Sequence, residues 1–264
     1  MSSSTYEAET RRVDAPGGRI AVCSDDPYGE ATAEFYDLLA TAMWDELGPS
    51  LPRLLSGVDP VAGPILDLGA GTGAGTVHLH AAFPSAAIIA LEPSKAMRTA
   101  MNARLAGDAG LRRAVTVVPR AFADAQLPDR LGGVLASAVI GHFDRDARHA
   151  LWCSLAERLA PGAPALIGVL PPTRPASIPP TRYRSLPVGE SVYEGWMQGE
   201  PLDDRRMLWT MTYRVLVGAD LVYERRALSM WHTCGPDDVA DEVAGLDLDV
   251  ERPDPDHVVL RRRA

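Results

Sequence analysis

The chain has 264 residues, 46% hydrophobic and 23% charged, with a formal net charge of −9. That length suits one large domain or one domain with a small accessory layer, and the acidic surplus, with only short scattered arginine clusters such as Arg112-Arg113 and Arg225-Arg226, argues against a phosphate-backbone partner. Three distant cysteines (Cys23, Cys153, Cys234), a polar Met1–Thr10 without the order of a secretory signal, and no apolar run of the ~20 residues a membrane span needs predict a cytoplasmic chain with neither disulfides nor a metal.

In chain order, Val13, Pro16-Gly17-Gly18 and Ile20-Ala21-Val22 read as a short hairpin or an ordered arm. Phe35, Leu38, Leu39, Ala42 and Met43 recur at helical spacing between Gly29 and Leu47, and Gly48-Pro49 stops that run; a second short helix is expected over 50–56. Strands and helices then alternate: strand Pro64–Leu68, helix Gly73–Phe83, strand Ala87–Leu91, helix Ser94–Leu105 with Ser94 as N-cap, strand Ala114–Val118, strand Gly133–Ser137, helix Asp144–Ala160, strand Ala165–Leu170. Such alternation with near-continuous apolar strands predicts a parallel sheet covered on both faces.

Past Leu170 the texture changes. Residues 171–187, rich in Pro, Thr and Arg, read as a crossing loop; 190–198, 206–217 and 221–232 have strand character, with Gly218-Ala219-Asp220 as a hairpin connection. They predict an antiparallel layer added to the main sheet. A helix over Pro236–Ala244 and a strand over His257–Arg261 close the chain. The expected organisation is an N-terminal arm and lid (1–56), a core (57–170), an antiparallel insertion (171–235) through which a homodimer would form, and a C-terminal helix and strand completing the core (236–264).

The chemistry concentrates in Asp67-Leu68-Gly69-Ala70-Gly71-Thr72-Gly73. The glycines let a strand-to-helix turn approach a ligand closely, and Gly69, Gly71 and Ala74 also satisfy the loose dinucleotide fingerprint. Charge separates the two readings. A carboxylate at Asp67 would repel the pyrophosphate that a helix N-terminus otherwise favours, but it stabilises an ammonium or sulfonium. Glu92 ends the next strand 23 residues after Gly69, the place from which an acid accepts hydrogen bonds from both hydroxyls of a ribose.

With these residues in view, Ile65 to Thr76 resembles motif I of the class I S-adenosylmethionine-dependent methyltransferases of small-molecule and natural-product type. Leu91-Glu92-Pro93-Ser94 with Met97 resembles the ribose and adenine strand end of that family, Leu127-Pro128 the pair after its third motif, Val134–Phe143 the segment after strand 4, and Leu159-Ala160-Pro161-Gly162-Ala163 the turn before strand 5. The resemblance spans about residues 30–170. It implies a Rossmann-like, doubly wound, seven-stranded, mostly parallel sheet with one reversed strand at the end, an N-terminal helical lid, and S-adenosyl-L-methionine as cofactor.

By this resemblance the cofactor meets Asp67, Gly69, Ala70, Gly71, Gly73, Glu92, Pro93, Met97, Phe122, Ser137 and the lid tyrosines Tyr28 and Tyr36. Three positions depart from the family pattern. The adenine-binding acid falls on Ala123, with Asp124 one place later; Gly132-Gly133 replace an acid at strand 4; and Gly141 replaces the first of two histidines, leaving His142. His142 is the candidate for substrate positioning or general base. Tyr193, Trp196, Trp209, Trp231 and His232 are candidates for a substrate pocket.

The expected reaction is methyl transfer to a small organic molecule or a peptide. The alternatives are a non-methylating step such as cyclisation on the same fold, an NAD-dependent oxidoreductase, and a cofactor-sensing scaffold.

Overall fold

The computed structural model describes residues 10–15, 18–23 and 29–263. Strands β1 (Thr10–Ala15) and β2 (Gly18–Cys23) pair antiparallel, with Ala15 opposite Gly18. Helix α1 (Gly29–Leu47) buries two faces, Phe35 and Leu39 against side chains of a second sheet and Trp44 and Leu47 against the central core. The Gly48-Pro49 stop ends α1, but the chain stays helical through a 3₁₀ turn (Gly48–Ser50) into the four-residue α2 (Leu51–Leu54).

The central sheet is assembled from β3 (Ile65–Leu68), β4 (Ile88–Leu91), β5 (Val115–Val118), β6 (Gly133–Ala136) and β7 (Pro164–Gly168). Between them lie α3 (Ala74–Ala82), α4 (Lys95–Gly107), α5 (Ala109–Ala114) and α6 (Arg145–Arg158). Every residue of β3, β6 and β7 is buried, which is why these strands read as near-continuous apolar runs, broken only by Asp67. Ser94 caps α4 by accepting the Met97 N–H, as predicted, and Asp144 caps α6 through the Ala147 N–H.

Four further strands follow: β8 (Ile178–Val188), β9 (Ser191–Pro201), β10 (Arg206–Val217) and β11 (Asp220–His232). After α7 (Pro236–Glu242), β12 (Leu248–Asp254) and β13 (His257–Arg262) return to the central sheet. Its order is β12-β13-β7-β6-β3-β4-β5. The five strands β3 to β7 run parallel, and β13 is the reversed strand, lying between β7 and β12. The chain winds outward from β3 to β5, then crosses to the other side of β3 for β6. A crevice opens at such a reversal, outside the carboxyl ends of the strands.

The expected antiparallel layer is present as a separate four-stranded sheet, β11-β10-β9-β8, but one expectation about it needs correction. The predicted crossing loop contains β8, which begins at Ile178. Its Pro179, Pro180 and Pro187 suggest a loop, but β8 is an edge strand with one neighbour, where a missing N–H costs no ladder bond. No helix among the described residues is long and apolar enough to cross a membrane.

Candidate active site

The crevice at the switch point is a cleft of about 340 Å³, with Leu68 and Leu91 behind it and Gly69, Gly71, Glu92, Pro93, Met97 and Phe122 among its walls. A smaller recess of about 20 Å³ opens beside the glycine loop, bounded by Tyr36, Trp44, Asp67, Ala70, Gly75 and Ser137. Tyr36, Gly69, Gly71 and Ser137 line both.

Gly69, Gly71 and Gly73 all have positive φ (69°, 57° and 82°), a backbone that side-chain-bearing residues rarely adopt. A Cβ on Gly69 would also lie 2.5 Å from Val139 Cγ2. The three glycine amides of this loop, and that of Ala70, are already committed. Gly69 and Ala70 donate to the Leu91 carbonyl, Gly73 to the Ala70 carbonyl, and Gly71 to Glu92 Oε2 at 2.8 Å. A pyrophosphate cradle requires such N–H groups to face the ligand. Here they face the protein.

The two strand-end carboxylates have different surroundings. Glu92, buried, is fixed by backbone donors, with Oε1 accepting the Ser94 N–H at 2.6 Å and Oε2 the Gly71 N–H. Asp67, 3% exposed, accepts the Thr76 hydroxyl at 2.6 Å. Burial, with the Glu92 charge adding to it and the Thr76 hydrogen bond opposing it, pushes the Asp67 carboxyl up to about 7. A buried carboxylate in that state lacks a cation.

Tyr36 reaches into both cavities from α1. Burial, helped by Tyr213 and by the Asp37, Glu92 and Asp67 carboxylates, pushes its phenol up to about 12, so it stays a neutral hydrogen-bond donor. The inner face of the four-stranded sheet holds α1 in place. Phe35 stacks on Tyr213 at 5.0 Å between centroids, contacts Tyr193 at 5.8 Å, and the Tyr223 hydroxyl donates to Glu34. From the core side, Thr72 donates to Asp37, whose other oxygen pairs with Arg104 at 2.7 Å.

His142 sits in a 3₁₀ turn after β6 (Ile140–His142), lining the cleft. Its imidazole meets the Trp231 ring edge-on at 4.9 Å. Burial first, then His232, lowers its pKa to about 4, so the ring is neutral at working pH. The same contact explains a departure from the family pattern, because a Cβ at Gly141 would fall 1.8 Å from Trp231 Cε2. The indole occupies the space a larger residue would need.

Of the residues singled out from sequence, Asp67, Gly69, Ala70, Gly71, Glu92, Pro93, Met97, Phe122, Ala123, Ser137, Tyr36 and His142 line the cleft or its recess. Gly73 does not; it starts α3 and packs on Met101. Ala123 lines the cleft and the exposed Asp124 does not. Trp231 and His232 come to His142, Tyr193 packs under Phe35, and Trp209 lies on the same inward face opposite Gly199. Trp196 faces the other way, bonded to Glu194 and flanked by Arg182 and Arg214. Tyr28 falls outside the described residues.

Sequence reasoning missed Thr76, Arg120, Val139 and Phe143 at the site and, on the second sheet, Tyr183. Thr76 was within reach, as a hydroxyl on the first turn of the helix that follows the glycines. Tyr183 was hidden in the stretch read as a loop. Its ring lies over Gly195, where a Cβ would be 2.4 Å from Tyr183 Cζ.

A family described as a methyltransferase domain matches residues 65–162. No curated protein matches the chain. Among solved structures, DesVI of Streptomyces venezuelae superposes with a TM-score of 0.70 at 17% identity, covering 90% of this chain and 98% of that one. The S-adenosylmethionine-bound amino pentose methyltransferase CalS10 of Micromonospora echinaspora gives 0.66 at 16%, covering 83% and 91%. The sugar N-methyltransferase KedS8 of a Streptoalloteichus species gives 0.67 at 19%, covering 94% and 100%. At these identities the likeness establishes the fold, which is the Rossmann-like fold of the class I methyltransferases.

Proposed function

We propose that this chain, with a methyltransferase domain at residues 65–162, binds S-adenosylmethionine in the cleft and transfers its methyl group to a small organic acceptor of the natural-product kind. The observation that carries the reading is Asp67: a buried acid whose ionised form burial disfavours, beside a loop whose glycine amides are bonded within the protein. That pairing suits an ammonium- and sulfonium-bearing ligand and disfavours a dinucleotide.

In this reading Asp67 accepts the ammonium, Glu92 the ribose hydroxyls, and Phe122 packs on the adenine with Ala121 and Ala123. Pro93 and Met97 border the ribose, Gly69, Ala70 and Gly71 allow close approach, and Ser137 and Tyr36 close over the amino-acid end. When bound, the cofactor supplies a methyl group already activated for displacement. The protein's work is alignment and exclusion of water. His142, kept neutral by burial, accepts a hydrogen bond from the acceptor and orients its lone pair; with a pKa near 4 it does not hold the proton. An amine acceptor therefore arrives unprotonated, and the rate rises with pH along the titration of the amine. Trp231, His232, Trp209 and Tyr193, on or beside the inner face of the second sheet, shape the acceptor side; Trp196 has no part in it.

The sugar and amino pentose methyltransferases among the structural relatives make amino sugars the first acceptors to test. Incubation with methyl-labelled cofactor should give labelled product and one S-adenosylhomocysteine per turnover. Product without label, or without the thioether, would overturn the reading in favour of a non-methylating step.

A further inference from the structure

Among the described residues, three buried side-chain nitrogens have no hydrogen-bond partner: Trp44 Nε1, His80 Nδ1 and Arg184 Nε. Trp44 alone of these lines the recess beside Asp67. It is 8% exposed. A buried N–H without an acceptor is costly and calls for a partner that the protein does not supply.

The indole is held on several sides. Its benzo edge rests on Gly75 of α3, where a Cβ would stand 2.6 Å from Cη2 and 3.0 Å from Cζ2. His78 stacks on the ring at 5.8 Å, 14° from parallel. A glycine in the first turn of α3 gives the indole room against the glycine loop. Besides the Tyr36 and Ser137 hydroxyls, which line the cleft as well as the recess, several donors nearby are committed. The Gly69, Ala70, Gly71 and Gly73 amides are bonded within the protein, Thr72 donates to Asp37, and the nearby Arg104 guanidinium is engaged by Asp37 and the Thr72 carbonyl.

We infer that Trp44 donates its indole N–H to the carboxylate at the amino-acid end of S-adenosylmethionine, so that one small recess serves both charges of that end, Asp67 taking the ammonium and Trp44 the carboxylate. This rests on the cofactor reading above. An N–H donor of this kind supplies the anion's hydrogen bond without placing a second cation beside the ammonium.

The test uses two ligands that differ by the carboxylate alone: S-adenosylmethionine and its decarboxylated form, which keeps the ammonium and the sulfonium. Calorimetry on wild type and Trp44→Phe should show S-adenosylmethionine weakened about tenfold or more by the substitution, with the decarboxylated ligand unchanged. In ¹⁵N-labelled wild type the Trp44 indole N–H resonance, assigned by its loss in Trp44→Phe, should move downfield with S-adenosylmethionine and stay in place with the decarboxylated form. Equal losses for both ligands, no loss for either, or a resonance indifferent to the carboxylate would overturn the inference. Wild type that binds neither ligand would instead overturn the cofactor reading.

Discussion

The parallel sheet meets the cleft with strand ends and the loops that leave them; the four-stranded sheet meets it with a face. Asp67, the glycines and Glu92 fall within 26 consecutive residues (67–92), and backbone geometry sets their positions. On the second sheet, Tyr193, Tyr213, Trp209 and Trp231 come from three strands and meet only through the register. One wall is therefore fixed by local chain conformation and the other by tertiary packing. Helix α1 joins them, carrying Phe35 toward the second sheet and Tyr36 and Trp44 toward the first.

Cutting the joint should have the largest effect. Phe35 is fully buried against Tyr213 and Val215, so Phe35→Ala should cost about 3–5 kcal/mol of stability. It should also weaken S-adenosylhomocysteine binding, since Tyr36 rides on the same turn. Denaturant unfolding and calorimetry read the two effects. Lost stability with unchanged affinity would show that the walls work independently.

Asp67→Asn strikes the first wall alone. It should weaken S-adenosylmethionine about a hundredfold or more, because the ammonium is left in a buried site without its counter-charge. For wild type, affinity should fall about tenfold per pH unit below about 7 as Asp67 takes up a proton. Stability of the ligand-free protein moves the other way. The native carboxyl titrates near 7 against an ordinary 3.8, so the native state binds a proton that the unfolded chain releases. The group's contribution is full below about 4 and is lost as pH rises to about 7. Asp67→Asn should remove that decline, leaving ligand-free protein more stable than wild type at pH 8 in thermal melts. A pH-independent difference would refute the assignment of the shift to Asp67.

Gly141→Ala probes the seam where the second sheet presses on the first. With 1.8 Å between the new Cβ and Trp231, overpacking should cost about 1–3 kcal/mol. Adding Trp231→Ala should recover part of that cost; additive losses in the double variant would mean that the indole is not what excludes a side chain at 141. The smallest effect belongs to the outer face. Arg226→Ala breaks an exposed pair with Glu224, which keeps its Arg214 partner, and should change stability by about 1 kcal/mol or less and leave S-adenosylhomocysteine affinity untouched.

The same contrast governs what the sequence revealed. Pattern was enough for the βα alternation, the Ser94 cap and the places of Asp67 and Glu92 at their strand ends, because each is decided by a strand and the few residues after it. Gly141 looked like a missing histidine, and only the fold shows that Trp231, 90 residues on, fills its space. Trp196 and Trp209 were indistinguishable as aromatics of one insertion. A single step of strand alternation sends one outward, between two arginines, and the other inward. Tyr183 was concealed by the prolines of an edge strand. Trp44 was not singled out, since an unpaired N–H exists only once the neighbours are placed.

The claim on which the rest depends is that the cleft is a site for S-adenosylmethionine and not for a dinucleotide. Isothermal titration of wild type at pH 8 with S-adenosylhomocysteine and, separately, with NADH tests it most directly. The account predicts one-to-one binding of the thioether, weakened by Asp67→Asn, and no heat from NADH. Saturable NADH binding with none for S-adenosylhomocysteine would contradict it.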